Sequence, residues 1–248
     1  MGKVKYILLD CDNTLVQSEH LAFEACADLT NELLEKKGFD VRYTAESLLD
    51  DFVGHNFRGM LKGLKAKHGF DLSDSEMEDY VQRELGAVTK KLSEKAIECP
   101  DVTEVLEHLH AQGYPMSVVS TSAKSRVVAS IEKVKIDRFF PIDHVYSAAT
   151  SLDPPSSKPD PAIYLHALEQ LGVKAEEAVT VEDSKSGATA AMRAGIPCVA
   201  YVGIYGIEDG EEKMEQMAKL LTEETKCVAV MRQWKEFPEI LKNIESKL

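Results

Sequence analysis

Lys5-Tyr6-Ile7-Leu8-Leu9-Asp10-Cys11-Asp12-Asn13-Thr14 is the stretch on which the reading of the chain turns. Tyr6 to Leu9 form a short apolar run with no helical period, and polar turn residues follow at once, so the run reads as a buried strand. The strand ends on a carboxylate, a second carboxylate stands two residues later, and Thr14 two after that. Acids where a buried strand emerges are costly unless a cation or a hydrogen-bond network holds them. The ends of strands in an open α/β sheet are also where ligands bind. On this stretch alone, Asp10 and Asp12 could equally serve only to end the strand and cap the next helix.

Outward from this strand, a long helical pattern opens with Ser18 as its expected N-cap. Leu21, Ala25, Leu29 and Leu33 recur every four residues, and Gly38 supplies the stop. Further helical segments are expected from Leu48 to Val53, Met60 to Lys67 and Met77 to Leu92, with no strand pattern between them. The character changes at Cys99-Pro100-Asp101. Asp101 with Glu104 fits a capping box for a helix from Val102 to Gln112. Strands are expected from Met116 to Val119, His144 to Ser147, Ala178 to Val181 and Pro197 to Val202. Helices between them should run from Lys124 to Val134, Pro161 to Gly172 and Ser184 to Ala194. The tail reads as a helix from Asp209 to Thr222, a short strand from Cys227 to Val230 and a terminal helix from Phe237; Trp234 beside it reads as a packing residue. Alternating strands and helices argue for an α/β fold with a parallel sheet. The all-helical block interrupts this series after its first strand and reads as an inserted domain.

Composition narrows the function. Apolar content of 44% and charged content of 29% describe an ordinary globule, and no stretch approaches the roughly 20 apolar residues of a membrane span. Lys and Arg number 29 against 42 Asp and Glu, a net charge of −13. That balance, with no local basic patch, argues against nucleic acid and anionic membrane surfaces as partners. The five cysteines are scattered with no Cys-x-x-Cys pair, which fits buried thiols in a reducing compartment. The chain begins at Met1 and enters a strand with no leader pattern, so a cytoplasmic location is expected. A monomer or weak homodimer is the expected state.

Three of the strands end in polar groups: Asp10 and Asp12, then Ser120, then Glu182 and Asp183. Lys158 stands in a loop held by Pro159 and Pro161. A parallel sheet brings all strand C-termini to one edge, so these groups can meet. Carboxylates suit a hard divalent cation, while a hydroxyl and an ammonium suit an anion. Phosphoryl transfer asks for that combination, being mostly positioning and charge neutralisation.

Asp10-Cys-Asp12-Asn-Thr14, Ser120 after two valines, Lys158-Pro-Asp-Pro and Val181-Glu-Asp183-Ser, in this order, resemble the four motifs of the haloacid dehalogenase superfamily. The chain looks most like the subgroup that includes small-metabolite phosphatases and β-phosphoglucomutase. The resemblance implies a Rossmann-like core of residues 1–17 and 93–248 with an inserted all-helical cap domain of residues 18–92. It implies a phosphatase of a small phosphorylated metabolite, dependent on Mg2+. Asp10 resembles the nucleophile that becomes an aspartyl phosphate. Asp12 resembles the general acid and base. Asp10, the backbone carbonyl of Asp12 and Asp183 resemble the metal ligands, with Glu182 joining directly or through water. Ser120, with Thr14 and Thr121, would bind the phosphoryl oxygens, and Lys158 would neutralise them and keep Asp10 ionised. In the inserted domain, Gly54-His55-Asn56-Phe57-Arg58 is expected to supply substrate contacts through His55, Asn56 and Arg58, although His55 or Asn56 could simply cap a helix.

The chain departs from the family pattern in two places. Asn13 stands where Gly is usual, in a turn where Asn tolerates a positive φ. The histidine and arginine that the mutases carry in their caps fall on Ala22 and near Phe57, which favours water over a second sugar hydroxyl as acceptor. A β-phosphoglucomutase-like mutase remains the alternative within the family. A non-catalytic protein that binds a phosphorylated metabolite is the alternative outside enzymes, and it would need no nucleophile.

Overall fold

The computed structural model describes residues 4–52 and 55–247. Along the chain come β1 (Tyr6–Leu9) and β2 (Val16–Gln17), then four helices, α1 (Glu19–Lys36), α2 (Ala45–Asp51), α3 (Phe57–His68) and α4 (Asp74–Lys95). Next are β3 (Ile97–Glu98), α5 (Val102–Ala111), β4 (Met116–Ser120), α6 (Lys124–Lys133), β5 (Val145–Ser147) and α7 (Ala162–Leu171). The chain closes with β6 (Ala178–Glu182), α8 (Lys185–Arg193), β7 (Cys198–Tyr201), α9 (Gly203–Glu208), α10 (Glu211–Thr225), β8 (Ala229–Met231) and α11 (Phe237–Glu245). Two compact units result, Met1–Gln17 with Ile97–Leu248, and Ser18–Ala96.

The first unit is built on a six-stranded sheet in the order β5-β4-β1-β6-β7-β8, every neighbouring pair parallel. From β1 the chain moves out through β4 to β5, then crosses to the other side of β1 for the remaining three strands. Strand order therefore reverses at β1, where an open α/β sheet leaves a crevice at the strands' carboxyl ends. Ile7, Leu8 and Leu9 are fully buried, each contributing on the order of 1.5–3 kcal/mol. Their register sets the site: Leu9 lies opposite both Val118 and Val181. Asp10, one step on, stands abreast of Val119 and Glu182, and its N–H still reaches the Val181 carbonyl at 3.1 Å.

In the helical unit, Leu29, Leu33 and Leu34 of α1 pack with Leu48, Met60, Leu61, Leu64 and Tyr80. Its boundary falls at Ala96 instead of residue 92, because α4 runs unbroken to Lys95. Two short strands were missed by the sequence reading. β2 and β3 pair antiparallel, Val16 with Glu98 and Gln17 with Ile97, so the chain leaves the first unit and returns to it side by side. Two-residue strands carry no periodicity to read.

Other expectations shift. Asp101 does not form a capping box: it takes φ 68° and accepts no capping bond, its carboxylate pairing instead with Lys235 at 3.0 Å. The helix expected from Asp209 to Thr222 runs from Glu211 to Thr225, and a separate short helix, α9, precedes it, the two divided at Gly210, whose φ of 92° interrupts a helical path. Val53 and Gly54, the expected end of one helix and start of the candidate substrate cluster, lie outside the described residues. None of the described helices is long and apolar enough to cross a membrane.

Candidate active site

The turn after β1 wraps around a single carbonyl. The N–H groups of Thr14, Leu15 and Val16 all donate to Cys11 O, at 3.3, 2.9 and 3.1 Å. Asn13 makes the turn at φ 56°, as expected of Asn in place of Gly. Cys11 itself points into the core, fully buried, with its sulfur 3.6 Å from Ser130 Oγ; alternation along the chain leaves Asp10 and Asp12 on the other side.

Lys158 organises the cluster. Its ammonium donates to Asp10 Oδ1 at 2.7 Å, to the Val119 carbonyl at 2.7 Å and to Glu182 Oε1 at 2.6 Å, and sits 5.2 Å from the Tyr164 ring centroid. All three of its donors are thus used in a buried site. Burial works against the Lys158 charge, but the Asp10 and Glu182 carboxylates outweigh it and hold its pKa above the usual range. Desolvation raises both carboxyls. For Asp10, Lys158 opposes that rise while Asp12 adds to it; for Glu182, Lys158 opposes and Asp10 adds. The cluster carries more negative charge than one ammonium can balance.

Asp12 is held separately. Ser122 Oγ donates to its Oδ2 at 2.7 Å and Ser120 Oγ at 3.3 Å, while Ser120 Oγ also accepts from Ser122 N–H at 3.0 Å. Thr121 lies half-buried between these serines. Thr14, expected at the substrate, is fully buried, and its hydroxyl donates to Asp183 Oδ1 at 3.4 Å. One carboxylate oxygen from each of Asp10, Glu182 and Asp183 lies within 4.8 Å of the others. Glu182 Oε2 is buried with no hydrogen-bond partner. Hard oxygen donors in excess, one of them unsatisfied, fit a divalent cation.

Sequence reading passed over the groups that support this cluster. Ser122, two residues beyond the end of β4, gives Asp12 its shorter bond. The Tyr164 hydroxyl, buried in α7, bonds Glu182 Oε1 and Thr180 Oγ1. Gly187 in α8 makes room for Glu182, since a Cβ there would stand 1.7 Å from Glu182 Oε2. The signal was available at Gly187, a glycine inside an otherwise regular helix. Gly187→Ala is expected to destabilise by about 1–3 kcal/mol. Ala is intrinsically better in a helix by about 1 kcal/mol, so a net loss in urea unfolding shows that the clash wins. Unchanged or increased stability would mean that Glu182 moves freely.

The remaining candidates belong to the helical unit, where each is engaged locally. Asn56 caps α3, its Oδ1 accepting from Gly59 N–H at 2.9 Å. Arg58 makes a two-pronged pair with Glu78. His55 stands edge-on to Phe52, ring centroids 6.4 Å apart.

Residues 7–201 match the model of the haloacid dehalogenase-like hydrolases. The chain belongs to that family. It is 28% identical to the 6-phosphogluconate phosphatase of Escherichia coli strain K12 over 196 residues, 79% of this chain and 81% of that one. It is 27% identical over 227 residues to a phosphorylated carbohydrates phosphatase of Thermotoga maritima, covering 92% and 98% of the two chains. Among solved structures, one from Thermotoga maritima that carries the name beta-phosphoglucomutase superposes with a TM-score of 0.71 at 27% identity, covering 96% of this chain and 99% of that one. As a haloacid dehalogenase-like hydrolase, the protein gathers Asp10, Asp12, Ser120, Lys158, Glu182 and Asp183 at one edge of its sheet.

Proposed function

We propose that the protein is a Mg2+-dependent phosphatase that hydrolyses small phosphorylated sugars or sugar acids through an aspartyl phosphate on Asp10. One observation carries the reading: Lys158 pins Asp10 from one side while a second carboxylate, Asp12, is held two residues away by Ser120 and Ser122. A binding protein has no need of two differently supported acids beside one phosphate site. The names of the two phosphatase relatives support the substrate class.

In this mechanism Asp10 attacks the phosphorus and the ester oxygen departs with a proton from Asp12. Asp12 then takes a proton from the water that cleaves the acyl phosphate. Ser120 and Ser122 hold the Asp12 carboxylate in place while it is ionised between the two steps, until the attacking water returns its proton. Ser120 would turn its hydroxyl to a phosphoryl oxygen, and Lys158, its three N–H groups engaged, would act on the phosphoryl group through its charge. Asp10, Asp183 and the backbone carbonyl of Asp12 would hold the cation, with Glu182 Oε2 available directly or through water. When bound, the cation neutralises phosphoryl charge and lets the acidic cluster accept an anion. The helical unit of residues 18–96 is proposed as the cap that selects the leaving group, with His55, Asn56 and Arg58 as its substrate contacts. We place the protein in the cytoplasm, where its five buried cysteine thiols stay reduced.

The test is phosphate release from a panel that includes 6-phosphogluconate, phosphoglycolate and both glucose monophosphates, with Mg2+ and with EDTA. Release that requires Mg2+ and favours one of these esters is expected. Isomerised glucose phosphate accumulating faster than free phosphate would point to the mutase instead, and binding without any turnover would overturn the enzymatic reading.

A further inference from the structure

We infer that Tyr205 is a positioning residue for Asp183, and that residues 203–237, beyond the family-matched stretch, brace the acid cluster into the spacing a divalent cation requires. The inference rests on the metal-dependent reading above. Its basis is that three side chains from this late segment reach the two loops that carry the acids. The Tyr205 hydroxyl lies 3.3 Å from the Asp183 carbonyl oxygen and 3.4 Å from its Oδ2, donating to them. Glu208 Oε2 accepts from Asn13 Nδ2 at 3.4 Å. Trp234 Nε1 donates to the Thr14 carbonyl at 3.0 Å.

Together with Thr14 Oγ1 on Oδ1, Tyr205 holds the Asp183 carboxylate from both oxygens. That matters because its neighbours are acids. Without a cation, Asp10 and Glu182 repel Asp183, and a carboxylate free to rotate would turn away from them. Donors on both oxygens offset that repulsion and keep the ligand aimed, so less ordering is left to do when the ion enters.

The brace is itself anchored. Val202 N–H donates to the Met231 carbonyl at 3.0 Å. A Cβ at Gly203 would stand 2.2 Å from the Arg232 carbonyl oxygen, so α9 starts in direct backbone contact with the end of β8. Trp234 is fully buried against Tyr201 and Phe237, with ring centroids 5.8 and 5.9 Å away. The tyrosine therefore projects from a rigid base rather than from a loop.

The experiment is titration of the metal-free protein with Mn2+, followed by electron paramagnetic resonance, on wild type, Asp183→Asn and Tyr205→Phe. Wild type should bind one ion tightly and Asp183→Asn should lose it. Tyr205→Phe should bind about tenfold more weakly, with the metal-free melting temperature unchanged and kcat restored at high Mg2+. Wild-type affinity in Tyr205→Phe would overturn the bracing role and leave the metal site standing. Absence of Mn2+ binding by wild type would overturn both readings. Weakened binding matched by a lowered metal-free melting temperature would assign Tyr205 to the fold alone and overturn the positioning role.

Discussion

Asp10→Asn is expected to lower phosphate release at least about 10³-fold while leaving the protein folded. The substitution removes the attacking oxygen's charge but keeps its shape, and the amide oxygen can still accept from Lys158. The ammonium also keeps Glu182 and the Val119 carbonyl as partners, so no buried cation is left alone. Stability separates this account from simple damage. The surroundings of Asp10 disfavour its carboxylate, burial first, with Asp12 adding to what Lys158 does not recover. A neutral isostere should therefore melt at or above the wild-type temperature in EDTA, as is common when a functional acid is replaced. In Mg2+ the order should reverse, because only a protein that binds the ion gains from it. More than about a tenth of wild-type turnover in the variant would remove Asp10 from the nucleophile's role.

The parts of this site that were legible in the sequence are those fixed by strand ends. Asp10, Ser120 and Glu182 follow apolar runs whose length alone shows where each strand stops, and parallel pairing brings them to one edge whatever the loops do. Lys158 was legible by its prolines. What stayed hidden is what reaches the cluster from elsewhere. Tyr164 meets Glu182 because α7 packs on the sheet beside β4 and β5 and the tyrosine hydroxyl extends to Thr180 and Glu182 of β6, and nothing in Ala162-Ile-Tyr164-Leu marks that tyrosine from any core aromatic. Trp234 read as packing and is packing, yet its single donor lands on the Thr14 carbonyl 220 residues away in sequence, a pairing that only the folded backbone defines. Asp101 shows the opposite failure. Its local pattern matched a capping box, but a left-handed backbone and Lys235 claimed the residue instead. In the helical unit, Asn56 had two readings from the outset, and its bond to Gly59 realises the capping one without testing the other.

Lys158→Met should cost activity and stability together. Methionine fills nearly the same volume and carries no charge, so packing against Tyr164 is kept while Asp10 and Glu182 lose their shared counter-ion. Breaking a buried pair by removing one partner costs about 3–5 kcal/mol, and here two carboxylates are stranded by one change. Phosphate release should fall at least about 10²-fold, as for loss of a preorganised donor to a developing anion. The two effects can be separated by a double-mutant cycle with Asp10→Asn. If Lys158 stabilises chiefly by balancing the acids, its loss matters less once Asp10 is neutral, because Glu182 alone can take up a proton. The destabilisation of Lys158→Met should then shrink by about 1–3 kcal/mol in the Asp10→Asn background. Urea unfolding of the four proteins in EDTA measures it. A cost that stays the same in both backgrounds would show that Lys158 serves the fold through Val119 and Tyr164, and that the acids are held by something other than its charge.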